Sequence, residues 1–160
     1  MMDLEIRVAS AIDLDALVRL AAAFRDHLGQ ARPSDVDFRA SIAMLLEDAG
    51  TEFSLACGAR GTALGYVQCR YRYSAWTSAL EAELEDVFVV HEARQRGVAL
   101  RLVEFAIARA TVKGCRSIGL NTNERNANAL ALYRKYGFAA ERTLWSGGRQ
   151  LWLQRWLEMA

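Results

Sequence analysis

The sequence predicts a mixed α/β fold. Two segments near the N-terminus carry apolar residues at helical spacing, and several β-branched or alternating runs are typical of strands. Residues 84–122 add a strand, a helix and a second strand joined by short turns. A chain of 160 residues that is 52% hydrophobic and 24% charged is expected to form one domain with a buried core.

Charge and composition exclude several classes of function. A formal net charge of +1 gives no electrostatic case for nucleic-acid binding. Cys57, Cys69 and Cys115 form no CxxC pair, and His27 and His91 lie far apart, so neither a metal site nor a disulfide is expected. The first residues lack the pattern of a signal peptide, and no apolar run is long enough to span a membrane. We therefore expect a cytoplasmic location without membrane association.

The first half of the chain is predicted to hold a strand, two helices and a hairpin. A short strand over 5–9 precedes a helix that Asp13 caps and Gly29 ends. A second helix begins at Ser34 and stops at Gly50. The apolar stripes of these helices are Leu14, Leu17, Ala21, Phe24 and Leu28 in the first and Phe38, Ile42 and Leu45 in the second.

Two strand-like runs, 51–60 and 65–73, flank the glycine-containing connection 61–64 and predict a hairpin. Cys57 and Cys69 are then small apolar residues of neighbouring strands. The loop 74–79 leads to the next strand.

The second half is predicted to begin with a parallel strand–helix–strand unit. A strand from Leu84 is followed by a helix over 99–113, which Gly114 closes, and by a strand over 117–122. A helix over 126–136 comes next. Two final strands, 138–145 and 150–157, surround the Gly147-Gly148 turn.

The stretch 84–102, LEDVFVVHEARQRGVALRL, carries the first functional motif. An apolar strand passes through a basic turn into a helix, and the first backbone N–H groups of a helix can bind an anion. The spacing Arg94-x-x-Gly97-x-Ala99 leaves room for close approach of a ligand. Neither a dinucleotide fingerprint nor a P-loop is present. An ordinary surface turn with a solvated basic face, to which Arg101 also contributes, is the alternative interpretation.

The second motif is NANALALYRKYGF, over residues 126–138. It places Asn126, Ala129 and Tyr133 three or four residues apart. The same spacing is typical of a helix stripe that faces a core, so the pattern alone leaves the role of Tyr133 open.

Together the two motifs resemble the GCN5-related N-acetyltransferase (GNAT) family. The R-x-x-G-x-[GA] turn is similar to the family's acetyl-CoA pyrophosphate loop, and the second motif resembles its late helix, in the family's order. The resemblance implies a single domain over 1–160. Its mixed, mostly antiparallel sheet would have about six to seven strands and about four flanking helices, with the central strands parallel and splayed.

The resemblance also implies a cofactor site. The residues that would contact acetyl-CoA are Val87, Phe88, Val89, Arg94, Gln95, Arg96, Gly97, Val98, Ala99, Asn126 and Ala129. Gln95 stands where many family members have glycine, and Ala99 stands where glycine is commonest. These departures predict a slightly tighter loop.

LEDVFVV further resembles the strand of the polyamine and thialysine acetyltransferase branch, in which the glutamate contacts the substrate amine. Glu85 is the matching residue, and it would take the proton of an ammonium whose pKa lies near 10. A solvated strand start is the alternative for this acid. Tyr133 would meet the departing thiolate, and attack would be direct, with no covalent cysteine intermediate. Backbone N–H groups of residues 87–89 would polarise the thioester carbonyl if a bulge splays the strand.

The function predicted is acetyl transfer from acetyl-CoA to a primary amine of a small molecule, with no metal. A protein or peptide N-acetyltransferase and a non-catalytic acyl-CoA sensor are the alternatives. The residues expected to shape an acceptor pocket are Phe24, Arg25, His27, Tyr73 and Trp76, with the acids Glu81, Glu83 and Glu85. The aromatic final hairpin, with Trp145, Trp152 and Trp156, is expected to form a homodimer surface or one wall of that pocket.

Overall fold

The computed structural model describes residues 3–141 and 147–157. The chain divides into two compact units, Met1–Leu120 and Asn121–Ala160. The first unit contains a mixed sheet with helices, which confirms the α/β class. The organisation as one domain over 1–160 stays a prediction.

The sheet of the first unit has five strands in the order β1-β2-β3-β4-β5. The first four are antiparallel neighbours, and β4 and β5 are parallel, as the strand–helix–strand pattern predicts. The strands are β1 Glu5–Val8, β2 Thr51–Cys57, β3 Ala63–Ser74, β4 Ala79–Val89 and β5 Ser117–Leu120. The helices are α1 Leu14–His27, α2 Asp35–Glu47 and α3 Val98–Val112, with α4 Ala127–Lys135 in the second unit.

Helices α1 and α2 cover one face of the sheet because their apolar stripes meet alternate residues of the strands. Leu17 and Leu20 of α1 and Ile42 of α2 are buried in one cluster with Tyr66 and Phe88. Burial of side chains of this size stabilises the fold by about 1.5 to 3 kcal/mol each.

A buried ion pair holds α3 against the opposite face. The Glu52 carboxylate of β2 accepts hydrogen bonds from Arg109 Nε and Nη2 at 2.9 and 2.7 Å, and Lys113 Nζ lies 3.5 Å away. Burial raises the pKa of Glu52, but the two cations outweigh it and the pKa lies below its ordinary value. The carboxylate therefore stays charged and fixes the C-terminal half of α3.

Asp13 does not cap α1 as predicted. It occupies the N-cap position of α1 without a capping bond to that helix. Its carboxylate accepts hydrogen bonds from Arg7 at 2.7 and 2.9 Å and from the Ser10 N–H at 2.9 Å. A charged bidentate partner and the backbone before the helix thus occupy its oxygens. Ser34 caps α2 as expected, with Asp37 completing a capping box.

The predicted count of six to seven strands is too high for the described part of the chain. Residues 150–157 form no strand there, and pairing in this region is limited to an isolated bridge between Glu141 and Arg149. A strand requires a ladder of hydrogen bonds with a neighbour, and one bridge does not provide it. The predicted strand 138–145 runs into residues 142–146, including Trp145, which lie outside the described residues.

Three further predictions concern disulfides, membrane-spanning helices and metal sites. Cys57 and Cys69 are buried free thiols of neighbouring strands, and Cys115 is also free. In the described ranges no helix is long and apolar enough to cross a membrane. No group of three histidine, cysteine, aspartate or glutamate side chains is arranged there to hold a metal ion.

Gly65 permits the close approach of β3 to the end of β4. A Cβ at this position would lie 2.5 Å from the carbonyl oxygen of Phe88, which the backbone cannot relieve without moving the strands apart. We expect Gly65→Ala to lower the free energy of unfolding by about 2 kcal/mol or more, as overpacked substitutions do. Urea denaturation measures this change.

Gly119→Ala is the matched control, because a Cβ at this strand glycine has no neighbour within 4 Å. It should leave the stability within about 0.5 kcal/mol of the native protein, as surface substitutions do. Equal losses of stability from both alanine variants would contradict the close approach at Gly65.

Candidate active site

The central strand β4 contains a β-bulge at Glu85. Leu84 lies opposite Cys69 of β3, and Asp86 lies opposite the adjacent Gln68. Glu85 is thus an extra residue with no partner of its own in the register. Bulges redirect side chains, and they occur often beside active sites.

The bulge directs two consecutive carboxylates to the same face of the sheet. Gln68 Nε2 donates a hydrogen bond to Glu85 Oε2 at 2.6 Å, and the Tyr66 hydroxyl donates one to Asp86 Oδ2 at 3.1 Å. Tyr66 and Gln68 are two residues apart on β3 and therefore share a face. In a regular strand Glu85 and Asp86 would point to opposite faces, so the bulge creates the pair.

The Glu85 carboxylate has the character of a base. Its burial raises the pKa, the nearby Arg70 guanidinium lowers it, and the charge of Asp86 raises it, with a net shift above the ordinary glutamate value. Arg70 Nη1 lies 4.0 Å from Glu85 Oε2, and the Gln68 amide holds the carboxylate in place. A half-exposed carboxylate with a raised pKa binds a proton more readily than a free one.

Asp86 is more enclosed than Glu85. Burial raises its pKa, which the hydrogen bond from Tyr66 only partly offsets. Burial together with the Asp86 charge also raises the pKa of Tyr66. This hydroxyl therefore stays protonated and donates a hydrogen bond to Asp86. The sequence analysis did not name Asp86 as a site residue. Its position beside Glu85 follows from the register of β4 with β3.

A surface cavity of about 170 Å³ opens beside Asp86, whereas Glu85 does not line it. It is bordered by the end of α1, the hinge over residues 28–34 between α1 and α2, the start of α2, and strands β3 and β4. Its lining includes Phe24, Leu28, Phe38, Tyr66 and Asp86, with Arg25 and Arg32. A mostly apolar cavity with a few polar groups is the usual form of a small-ligand site.

The residues predicted to shape the acceptor pocket do not all lie at the cavity. Phe24 and Arg25 line the cavity, and His27 lies against the ring of Phe88 with the centroids 6.4 Å apart. Tyr73 and Trp76 do not line it; their side chains are exposed at the far end of the β3–β4 hairpin.

The end of β4 extends past β5. The parallel register of β4 with β5 stops at Leu84 and Leu120, while β4 continues to Val89 and pairs there with β3. Val87, Phe88 and Val89 lie in this extension. The observed bulge lies in the pairing of β4 with β3, and a role of the N–H groups of residues 87–89 stays a prediction.

The turn after β4 leads into a helix with no side-chain cap. Gly97 is the N-cap of α3 in the left-handed conformation, with φ +77°, and no side chain bonds to the first turn. The N–H groups of Val98 and Ala99 therefore face no capping side chain and suit an anion. Gln95 also has a positive φ, +60°, a conformation that glycine adopts more readily than other residues.

The three arginines near the turn differ in their surroundings. Arg94 Nε donates a hydrogen bond to the Val89 carbonyl at 3.0 Å, and its guanidinium lies 5.7 Å from the centre of the Phe88 ring. Arg94 thus braces the junction of strand and turn. Arg96 and Arg101 are exposed on the turn and on α3.

The second motif lies on α4 in the second unit. The Asn126 side chain caps this helix by accepting a hydrogen bond from the Ala129 N–H at 3.3 Å. Tyr133 is half-buried, its ring meets Phe138 edge-on at 5.7 Å, and burial raises its pKa. The tyrosine therefore stays protonated at neutral pH and can donate a hydrogen bond.

The two units divide the predicted site residues between them. Glu85, residues 87–89 and residues 94–99 follow one another on β4, the turn and α3 of the first unit. Asn126, Ala129 and Tyr133 share α4 of the second unit. The first unit thus defines a class of protein in which a carboxylate-bearing strand leads into a helix N-terminus without a side-chain cap.

The chain belongs to the acetyltransferase (GNAT) family, whose model matches residues 15–138. It is 33% identical to streptothricin acetyltransferase of Streptomyces lavendulae over 93 residues, which are 58% of this chain and 47% of that protein. It is 27% identical to the D-amino-acid N-acetyltransferase HPA3 of Saccharomyces cerevisiae over 85 residues, 53% of each. The chain thus spans about half the length of these curated relatives.

Solved structures share the fold over nearly the whole chain. A possible acetyltransferase from Clostridium difficile 630 has a TM-score of 0.81 at 16% identity, with 98% of this chain and 99% of that chain covered. An aminoglycoside acetyltransferase from an uncultured soil metagenomic sample has a TM-score of 0.77 at 16% identity, with 98% and 97% covered. At these identities the likeness establishes the GNAT fold.

Proposed function

We propose that the protein is an N-acetyltransferase that moves the acetyl group of acetyl-CoA to a primary amine of a small molecule. The observation that supports this most is the order of features on one strand–turn–helix unit. A carboxylate with a raised pKa at Glu85 precedes the extended edge of β4, and the uncapped N-terminus of α3 follows.

Acetyl-CoA would supply an acetyl group activated as a thioester. Residues of the first unit fit acetyl-CoA. The pyrophosphate of acetyl-CoA can accept hydrogen bonds from the N–H groups of Val98 and Ala99, and the exposed Arg96 lies on the same turn. The extension of β4 over residues 87–89 offers a strand edge to the pantetheine chain. Gln95, Gly97 and Arg94 shape the turn, and Asn126 and Ala129 are the contacts proposed on α4.

Glu85 is the proposed general base. It would remove one proton from the acceptor ammonium, directly or through a water molecule, and leave a neutral amine with a free electron pair. The amine nitrogen then bonds to the acetyl carbon, the carbon–sulfur bond breaks to release the CoA thiolate, and the nitrogen gives up a second proton to the thiolate or to solvent. No covalent enzyme intermediate is formed. Backbone N–H groups of residues 87–89 are the proposed donors to the oxygen that gains negative charge.

Tyr133 is the proposed donor to the leaving sulfur. An ordinary tyrosine is less acidic than a thiol by about 1.5 pKa units, and burial of Tyr133 widens this difference. Complete proton transfer would thus be uphill by more than about 2 kcal/mol. A hydrogen bond from the neutral hydroxyl to the thiolate is the role that these pKa values favour.

The small-amine acceptor is supported by the cavity and by the relatives, whose names refer to streptothricin and D-amino acids. A homodimer and a cytoplasmic location stay predictions. Trp152 and Trp156 of the final segment are exposed, and Trp145 lies outside the described residues.

Thermal denaturation with acetyl-CoA tests the donor site. A ligand at about 100 times its Kd stabilises a protein by about 2.7 kcal/mol, so we expect a clear rise in Tm at submillimolar acetyl-CoA. Arg96→Glu should reduce this rise because it places a negative charge beside the pyrophosphate. Arg39→Glu, on exposed α2, makes the same change in net charge and should preserve the rise. No change in Tm of the native protein with any acyl-CoA would overturn the proposal.

A further inference from the structure

We propose that the cavity beside β4 selects an amine with one positive charge and an apolar body, and that Asp86 binds its ammonium group. This inference rests on the proposed function and names the class of acceptor that the site takes. It separates such monoamines from polyamines and other polycationic acceptors.

The Asp86 carboxylate lacks a cationic partner. It accepts a hydrogen bond from the neutral Tyr66 hydroxyl at 3.1 Å, and no arginine or lysine in the described ranges forms an ion pair with it. A charge in such an enclosed place is costly unless a counter-charge accompanies it. An acceptor ammonium would supply that counter-charge next to Glu85, the adjacent residue on the same face.

The walls of the cavity are apolar. Phe24, Leu28 and Phe38 line it, and Phe24 stacks on Phe88 with the ring centroids 5.1 Å apart. The volume of about 170 Å³ is small for a ligand site. An alkyl or aromatic group of modest size attached to the amine would pack against these apolar side chains.

Of the two arginines that line the cavity, Arg32 disfavours a second positive charge on the acceptor, whereas Arg25 does not. Arg25 is neutralised by Asp26 and Asp35, with nitrogen–oxygen distances of 2.8 and 2.7 Å. Arg32 also lines the cavity and forms no ion pair within 4.0 Å in the described part of the chain. Its charge would repel a cationic far end of the acceptor and would tolerate a neutral or anionic one.

The acids of β4 that would attract a polycation already face arginines of β3. Glu81 lies 3.9 Å from Arg72, and Glu85 lies 4.0 Å from Arg70. Two of the β4 acids are thus partly compensated by arginines of the neighbouring strand. Asp86 differs from them, because no arginine or lysine of the described ranges forms an ion pair with it.

A matched pair of amines tests the selectivity. Pentylamine and 1,5-diaminopentane have the same chain and differ in the second ammonium group. We expect kcat/KM of the native protein to be at least about tenfold higher for pentylamine, a difference of about 1.4 kcal/mol. Equal or higher kcat/KM for the diamine would overturn the inference.

Two substitutions test the residues. Asp86→Asn should raise the KM for pentylamine about tenfold or more while kcat changes less, and calorimetry in the presence of CoA should show the same loss of amine binding. Arg32→Glu, on the exposed hinge, should improve kcat/KM for the diamine relative to pentylamine. An unchanged KM in Asp86→Asn, or an unchanged preference in Arg32→Glu, would contradict the assignment of that residue.

The acetyl-CoA melting experiment separates this inference from the proposed function. Stabilisation by acetyl-CoA together with faster acetylation of the diamine would refute the acceptor class and leave the acetyltransferase proposal standing. Absence of stabilisation by any acyl-CoA would refute both. Melting of Asp86→Asn and Arg32→Glu with acetyl-CoA verifies that each variant is folded and retains the donor site.

Discussion

Glu85→Gln is expected to lower kcat/KM for the acceptor by about 100-fold to 1000-fold at neutral pH, the range that general-base catalysis contributes. The amide is close in size to the carboxylate and retains an oxygen for the hydrogen bond from Gln68, but it cannot remove a proton from an ammonium. Stopped assays of thiol release with saturating acetyl-CoA measure the effect. Glu81→Gln on the same strand is the control, and its rate should stay near that of the native protein.

The pH dependence of the reaction follows from the same carboxylate. Burial and the charge of Asp86 raise the pKa of Glu85, against the opposing effect of Arg70. Glu85 must be deprotonated to act, so kcat/KM should fall as pH decreases through this raised pKa, above the ordinary value of about 4.3. The variant Glu85→Gln should lose this acidic limb. An unchanged limb in the variant would assign the titration to another group.

Tyr133→Phe is expected to lower kcat by about 10-fold to 100-fold. The hydrogen bond to a thiolate is one to a charged group, and its loss costs about 1.5 to 3 kcal/mol. The affinity for acetyl-CoA should change little, because the thiolate develops only during the reaction. Single-turnover rates and acetyl-CoA titrations measure the two quantities separately.

Tyr73→Phe removes the hydroxyl of an exposed tyrosine on the β3–β4 hairpin and serves as the matched control. It should leave kcat unchanged. A native kcat in Tyr133→Phe would remove this tyrosine from catalysis, and a large loss of acetyl-CoA affinity would indicate a role in donor binding.

The sequence predicts most of the first unit because the relevant signals are local. Helix α2 begins after a Ser34 capping box, α1 is followed by Gly29 with φ +66°, and the strand–turn–helix order of β4 and α3 is present. Gly97, which adopts a left-handed conformation, is the glycine of the motif Arg94-x-x-Gly97-x-Ala99. Local steric and capping preferences suffice for these features.

Features that depend on distant partners were not predictable in the same way. The bulge at Glu85 is defined by the register with β3, and alternation alone would have separated Glu85 from Asp86. Asp13 pairs with Arg7 instead of capping its helix. The apolar segment 150–157 has the composition of a strand, but strand formation requires a partner that its own residues do not specify.

Mass spectrometry of a small amine incubated with the native protein and acetyl-CoA tests the central proposal most directly. We expect pentylamine to gain one acetyl group on nitrogen, with one molecule of free CoA released for each molecule of product. The product should be absent without protein and strongly reduced with Glu85→Gln. Binding of acetyl-CoA without acetylation of pentylamine or of any amine in a broad panel would contradict the proposal and indicate a non-catalytic acyl-CoA sensor.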